Sequence, residues 1–439
     1  VSQGMVRFGA ALPAAELLPT ERLNRILGSL ARRGEVNRDL HASIEGWEEL
    51  RRQIAQRRSL QGCALDSDAL VVTSGCTESL SLALQVTTKP GDLVAVESPT
   101  YFGILQTLEV LGLRALEIPT HPVTGISLEA LEFALIHDDV RAVVVMTNFS
   151  NPLGSSMPDA AKRRLVAMLA EKEIPLIEDD VDGELYFEGS RPTVCKCYDE
   201  QGLVLLCSSF SKDIAPTYRV GWIAPGRFLK NVKHVREALT GRAPLMTQMV
   251  LADYLSHGGY EHHLRRLRRT YADRVDHMAQ AVVDQFPEGT RVSTPSGGYV
   301  LWVEMPQEVD ALVLFRMALE AGISVVPGLA PAAESACSIA ALLELVRYLH
   351  EHPPSRTVVV AATSAHYQDL QGIDAFLDRH VRRFGPAAQA VLAITAAVRS
   401  TSTTLAIVAS QASTSANSAA RSSCVPSRSA DASSPISSI

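Results

Sequence analysis

Ser208-Ser209-Phe210-Ser211-Lys212, with Arg219 seven residues further on, is the stretch that decides how this chain is read. The residues before it, 203–208, form a short apolar run that predicts a buried strand. A lysine placed just past a strand end, among hydroxyl side chains, is not in the usual setting of a solvated surface lysine. Burial or a nearby cation lowers the pKa of such an amine, and the free amine can then form a Schiff base with a carbonyl. Arg219 opens the next apolar run, 219–224, and a guanidinium meets a phosphate through two parallel hydrogen bonds. Taken alone, Lys212 remains compatible with simple solvation.

Upstream, the chain alternates two periods. Short β-branched runs at 69–73, 93–97, 142–147 and 174–179 read as strands, and the helical spacing at 77–86 and 158–172 reads as intervening helices. Apolar strands alternating with helices imply a mostly parallel sheet covered on both faces. Ligands of such sheets sit beyond the carboxyl ends of the strands. Each polar motif lies at one of these ends. Ser74-Gly75-Cys76-Thr77 opens a helix, where free amides and the positive dipole suit a phosphate, although small residues also cap helices for no further purpose. Tyr101, after Glu97-Ser98-Pro99-Thr100, can stack on a flat ring or simply pack in the core. Asn151, before Pro152 and Gly154, can bond a ring oxygen or only shape a turn. In Glu178-Asp179-Asp180, a carboxylate leaving a buried strand needs a partner. A protonated pyridine nitrogen is one; a surface or capping role is the other reading. The order of all six features at successive strand ends carries more than any one of them.

Downstream, 229–285 reads as helical and charged. His262-His263 with Arg265-Arg266 and Arg268-Arg269 reads as a solvated face rather than a metal site, because neighbours on a helix point apart. Gly297-Gly298-Tyr299 leads into an expected strand at 300–304 and a helix at 311–321, which suggests a smaller α+β domain. The last 40 residues hold 14 serines and few large apolar side chains, and 400–439 is expected to be disordered.

The whole chain has 439 residues, 46% of them hydrophobic and 20% charged, with a formal net charge of −7. That balance argues against a stand-alone nucleic-acid binder. Of seven cysteines, the close pair Cys195 and Cys197 lacks zinc-site spacing, so reduced thiols and no metal are expected. The apolar runs are shorter than the ~20 residues of a spanning helix and no leader pattern opens the chain, so the expected location is the cytoplasm, with no membrane contact. A nicotinamide dehydrogenase of the doubly wound type is disfavoured, because no Gly-x-Gly-x-x-Gly follows the first strand.

Several segments together resemble the fold-type I pyridoxal phosphate enzymes of the class I/II aminotransferase group. More narrowly, they resemble the aminotransferase-like domain of MocR-type regulators of the GntR superfamily. They are Gly46-Trp-Glu-Glu-Leu-Arg-Arg-Gln-Ile-Ala55, Val72-Thr-Ser-Gly-Cys76, Glu97-Ser-Pro-Thr-Tyr101, Asn151-Pro-Leu-Gly154, Ile177-Glu-Asp-Asp180, Ser209-Phe-Ser-Lys-Asp-Ile-Ala-Pro216 and Arg219-Val-Gly-Trp222. The resemblance spans residues 6–328. It implies an α/β fold with a mostly parallel central sheet and a smaller α+β domain. The division it suggests is an N-terminal segment (1–50) packing with the small domain, a cofactor-binding large domain (51–285), a small domain (286–399) and the tail. It implies pyridoxal 5′-phosphate as cofactor, an amino acid and a 2-oxo acid as substrates, and a homodimer. Lys212 would form the Schiff base and shuttle the Cα proton, and Asp179 would pair with the pyridine nitrogen. Tyr101 would stack on the ring and Asn151 would bond its hydroxyl. Arg219, Ser209 and the amides around Gly75, Cys76 and Thr77 would hold the phosphate.

Three departures accompany the resemblance. Val181 stands where these regulators carry a tyrosine. The winged helix-turn-helix that begins such regulators is not visible, so no DNA-binding module is expected in this chain. The pattern stops after Val325-Val326-Pro327-Gly328, before the arginine that grips the substrate carboxylate; Arg347 lies in a helical context instead. Normal cofactor binding with weak transamination is therefore expected, and the alternative function is a catalytically impaired sensor domain for pyridoxal phosphate or its amino-acid adducts.

Overall fold

The computed structural model describes residues 6–8, 11–34, 43–307 and 309–328, and three strand segments at 358–361, 388–392 and 406–410. Two compact units divide at Cys337/Ser338.

The first unit is built on an eight-stranded sheet. In chain order its strands are β2 (Val71–Thr73), β3 (Leu93–Ser98), β4 (Arg114–His121), β5 (Gly125–Ile126), β6 (Val140–Val145), β7 (Leu176–Asp179), β8 (Val204–Ser209) and β9 (Gly221–Ala224), after a short β1 (Val6–Arg7) that lies elsewhere. The spatial order is β2-β9-β8-β7-β6-β3-β4-β5. β9 is antiparallel to both its neighbours and β5 to β4; every other pairing is parallel. All six strands expected upstream and around Lys212 are present. β4 and β5 were not foreseen. β4 interrupts its apolar residues with Arg114, Glu117, Pro119 and His121, and most of it is only partly buried, so no run of β-branched residues announces it.

Helices cover both faces because alternate strand residues point to opposite sides. Val94 and Val96 of β3 pack with Leu80 and Leu84 of α3 (Cys76–Thr87) and with Ile104 and Leu108 of α4 (Phe102–Val110). Leu93 and Ala95 pack the other way, with Leu131 of α5 (Leu128–His137) and Leu165 of α6 (Asp159–Glu171). A third cluster joins Leu206 and Trp222 to Leu23 of an N-terminal helix (Thr20–Arg32), Ile54 of a second (Glu48–Leu60) and Leu251 of a helix at Leu245–Ser256. These are α1, α2 and α8, with α7 at Leu229–Leu239.

The charged stretch 229–285 is thus three helices, α7, α8 and α9 (Gly259–Gln285), and α8 is largely buried. The basic cluster on α9 is only partly a solvated face. Arg265 and Arg269 are exposed, but Arg268 is buried, donating to the Glu184 carbonyl at 2.8 Å with its guanidinium 3.7 Å from the Tyr186 ring centroid. The expected strand at 300–304 shrinks to β11 (Val303–Glu304), which pairs with β10 (Arg291–Val292). Helix α10 (Ala311–Glu320) precedes β12 (Ile323–Ser324), and β12 pairs in parallel with β1. The N-terminal segment therefore divides: β1 joins β12, while α1 joins α8.

The second unit contributes a three-stranded antiparallel sheet of β13 (Val358–Ala361), β15 (Ala406–Ser410) and β14 (Ala388–Leu392), in that spatial order. β15 lies within the stretch expected to be disordered. Ala406-Ile-Val-Ala-Ser410 is a local apolar run inside the serine-rich composition. The remaining residues of 400–439, and Arg347, lie outside the described residues.

Candidate active site

Because β2, β3, β6, β7 and β8 run the same way, their carboxyl ends share one edge of the sheet. β9 runs against them, so it is its beginning that reaches that edge. This is why Arg219 precedes its strand while the other candidates follow theirs.

At the end of β2, Gly75 adopts φ +94° and ψ 169°, a region open essentially to glycine alone. A Cβ there would lie 2.7 Å from Nη2 of Arg219 and 2.9 Å from its Cζ. The guanidinium is thus laid directly on the loop, and it donates to the Ser74 carbonyl at 3.1 Å. Arg219 is itself left-handed at φ 52° and is exposed. Helix α3 begins at Cys76 with no side-chain cap, so the Cys76 and Thr77 amides are first-turn donors without intrahelical acceptors. Arginine, free amides and helix dipole converge on one spot, as an anion requires.

One strand over, β7 delivers three acids into three environments. Glu178 is buried and accepts from Thr147 Oγ1 (2.6 Å) and from the amides of Cys195 (2.7 Å) and Lys196 (3.1 Å). Asp180 is fully buried and paired with Arg58 at 2.9 Å and with Arg191. Asp179, between them, is half-buried. Its Oδ1 accepts from the Cys76 thiol (3.3 Å) and the Val181 amide (3.1 Å), and among the described residues it forms no ion pair. Burial above all, with Asp182 and Asp180 nearby, pushes its carboxyl up to about 7. A carboxylate so placed wants a cation. Tyr101 is half-buried; burial first, then the charges of Asp179 and Cys76, raise its phenol, and Arg219 opposes them. Those four side chains share one electrostatic environment.

After β8, Ser209 accepts from the Ser211 amide at 3.3 Å, and the Ser211 hydroxyl is buried with no partner among the described residues. The Lys212 amine donates to the Ala11 carbonyl at 2.5 Å and lies 5.7 Å from the Tyr299 ring centroid. Tyr299 donates to the same carbonyl at 3.0 Å. Asp182 is buried, with one carboxylate oxygen unpartnered among the described residues. Burial raises its carboxyl to about 6, against the pull of Lys212. Asp182 and Tyr299 are members of this group that sequence reading missed. Asn151 is the candidate least tied to the rest: its amide donates to Met146 Sδ at 3.3 Å, and its side chain makes no hydrogen bond among the described residues.

The donor set fits pyridoxal phosphate. It has an anion cradle at Gly75–Thr77 and Arg219, a carboxylate lacking a cation, an aromatic ring in the same electrostatic environment, and an amine after the next strand. No group of metal-ligating side chains occurs among the described residues, and no helix among them is long and apolar enough to cross a membrane.

Comparison with known proteins agrees with this fold. The chain is 40% identical over 324 residues to YdcR, an uncharacterized HTH-type transcriptional regulator of Escherichia coli K12, covering 74% of this chain and 69% of that protein. It is 42% identical to YjiR, another such regulator of the same organism, over 65% of this chain and 61% of YjiR. The crystal structure of LysN, the alpha-aminoadipate aminotransferase of Thermus thermophilus complexed with N-(5'-phosphopyridoxyl)-L-leucine, superposes with a TM-score of 0.69 at 30% identity, covering 74% of this chain and 83% of that one. The family profile of aminotransferase class I and II matches residues 32–344, and with the fold in agreement, the chain belongs to that family.

Proposed function

We propose that this chain transfers an amino group from an amino acid to a 2-oxo acid, with pyridoxal phosphate held at the sheet edge by Lys212, Asp179, Tyr101, Asn151, Ser209, Arg219 and the loop Gly75–Thr77. The observation that carries the reading is the convergence of Arg219 on the Gly75 loop and of Cys76 on Asp179. This sets a phosphate cradle and a cation-seeking carboxylate side by side. When bound, the cofactor supplies an electron sink for the negative charge that develops at the substrate α-carbon.

The chain's own residues do the rest. Cys76 and Val181 hold Oδ1 of Asp179, so its other oxygen would be the one to hold a protonated ring nitrogen; a carboxylate there would keep a bound ring cationic and so favour proton loss from the substrate. Arg219 and the α3 amides would hold the phosphate. Lys212 would hold the cofactor through its amine and would move the α-proton, and for either its amine has to leave the Ala11 carbonyl. Val181 offers the ring oxygen no hydroxyl, so Asn151 is left as its donor. The homodimer belongs to this reading on the resemblance alone, and the cytoplasmic location is the expectation drawn from the sequence.

Purified protein loaded with pyridoxal phosphate and reduced with borohydride should carry the label on Lys212 in a peptide map. Label on another lysine, or none, would overturn the assignment. The second reading, a sensor domain, draws on Val181 and on the similarity to YdcR and YjiR. It predicts the same label with negligible amino-group transfer.

A further inference from the structure

The charged start of α9 has no part in the proposed cofactor site, yet one face of it is buried against the loop that carries Lys212. Tyr260 and His263 stand three residues apart on this helix, so they share a face. Both meet the same residue, Asp213, which directly follows Lys212. The Tyr260 hydroxyl donates to Oδ2 of Asp213. Nε2 of His263 lies 2.6 Å from the Asp213 carbonyl oxygen; facing an acceptor, that nitrogen carries the proton and donates. All three side chains are buried, and a buried polar group is costly unless it is hydrogen-bonded.

Elsewhere the loop is held by its own turn. The Phe210 amide donates to the Val220 carbonyl at 3.1 Å, and the Phe210 carbonyl accepts from the amides of Ile214 (3.1 Å) and Ala215 (2.9 Å). Lys212 itself makes no backbone–backbone hydrogen bond among the described residues. Its backbone is tied to α9 through Asp213. That helix is well anchored in turn. The Arg57 guanidinium lies 4.3 Å from the Tyr260 ring centroid and the Tyr254 ring 6.1 Å from it. One turn further along, Arg266 donates to the Leu17 carbonyl and Arg268 to the Glu184 carbonyl, each at 2.8 Å.

We propose that Tyr260 and His263 are positioning residues for Lys212: by gripping Asp213 at its carboxylate and at its carbonyl, they fix the place from which the lysine side chain leaves its loop. The inference rests on the reading of Lys212 as the residue that holds the cofactor. Neither side chain needs to touch the cofactor. The same stretch of α9 holds the loop after β7 at Glu184 and the N-terminal segment at Leu17, so it sets the lysine against both.

Full-length protein freed of bound aldehyde is mixed with pyridoxal phosphate, and the rate of Schiff-base formation is followed by absorbance. Tyr260→Phe and His263→Leu should each slow capture by about 10- to 100-fold, the scale of a displacement of about 1 Å at a reacting group. His263→Gln, which keeps an N–H donor near the place of Nε2, should restore capture to within about threefold of wild type. Pyridoxine phosphate has no aldehyde and cannot react with a lysine; its affinity by calorimetry should stay unchanged in every variant. A general loosening of the fold would weaken pyridoxine phosphate in parallel and would not be repaired by glutamine, and either result overturns the proposal. So does capture at the wild-type rate in His263→Leu. Should that variant fail to fold, Tyr260→Phe, which loses a single hydroxyl, carries the same test. A borohydride label away from Lys212 in wild-type protein would sink the proposed function and this inference together, whereas a normal label with unslowed variants would sink this inference alone.

Discussion

Replacing Asp179 by asparagine should stabilise the cofactor-free protein while disabling its chemistry. Burial raises this carboxyl from the ordinary 3.8 to about 7. The folded state therefore holds the proton more tightly than the unfolded chain does. The fold carries no penalty from this group below pH 3.8, a growing one as pH rises, and the full one above pH 7. At roughly 1.36 kcal/mol per pH unit the ceiling is about 4 kcal/mol. Asp179 keeps some contact with water, and partial screening brings the expected figure to about 2 kcal/mol. Asparagine retains the oxygen that accepts from Cys76 and Val181, so those bonds survive and only the charge is lost. For a body of this size we expect a Tm about 4 °C above wild type at about pH 8, with the gain shrinking steadily towards acid pH. With pyridoxal phosphate present the order should reverse, because Asp179 then has a cationic partner that asparagine cannot use. Differential scanning calorimetry with and without cofactor tests this. An Asp179→Asn protein no more stable than wild type at about pH 8, or one whose gain is the same at about pH 5, would refute the account of Asp179 as a carboxylate waiting for a cation.

Gly75→Ala would place a Cβ 2.7 Å from the Arg219 guanidinium in a backbone region that alanine avoids. Displacing that charged donor should cost about 1.5–3 kcal/mol of phosphate binding, or roughly 10- to 150-fold in the Kd for pyridoxal phosphate by fluorescence titration; a change under threefold would separate the loop from the cofactor. Arg58→Met removes one of two arginines from the buried Asp180. A loss of about 3 kcal/mol, within the range for breaking a buried pair, should appear as a lower urea midpoint, and an unchanged midpoint would mean Arg191 suffices alone.

The strand ends were legible because buried parallel strands are written as nearly continuous apolar runs, and the polar residue after each run stands out. Asp179 and Lys212 stand out in that way; Gly75 was read from the start of a helix, Tyr101 from its place beyond the second strand, and Arg219 as the opening residue of an apolar run. Asp182 was not, because it follows Val181 with no periodic context, and its importance comes from burial beside Lys212, not from spacing. Tyr299 was read only as the approach to a strand, which it is, and its contact with the Ala11 carbonyl was not foreseen. Its place is set by pairing between chain segments far apart in sequence, such as Phe187 with Ser296 and Gly298 with Leu185. The Ser-rich tail shows the reverse failing: average composition concealed the short apolar run of β15.

The three consecutive acids Glu178, Asp179 and Asp180, the last just past the end of β7, have a consequence for how this strand tolerates insertion or deletion. Each is matched to a different surrounding: Glu178 to backbone amides, Asp179 to the ligand edge, Asp180 to two guanidiniums. β7 is locked on both sides, Ile177 opposite Val144 and Leu205, so a slip of one position would send every side chain to the opposite face. Moved one way, the slip would put Asp180 in the place of Asp179 and Val181 between Arg58 and Arg191, leaving both guanidiniums without a carboxylate; moved the other way, it would put Glu178 at the ligand edge and Ile177 against the Cys195 and Lys196 amides. A length change in 174–177 would therefore displace all three acids at once, whereas the bend at 200–202 makes no hydrogen bond to any of them and is tied instead to Arg227, whose amide donates to the Gly202 carbonyl at 2.9 Å.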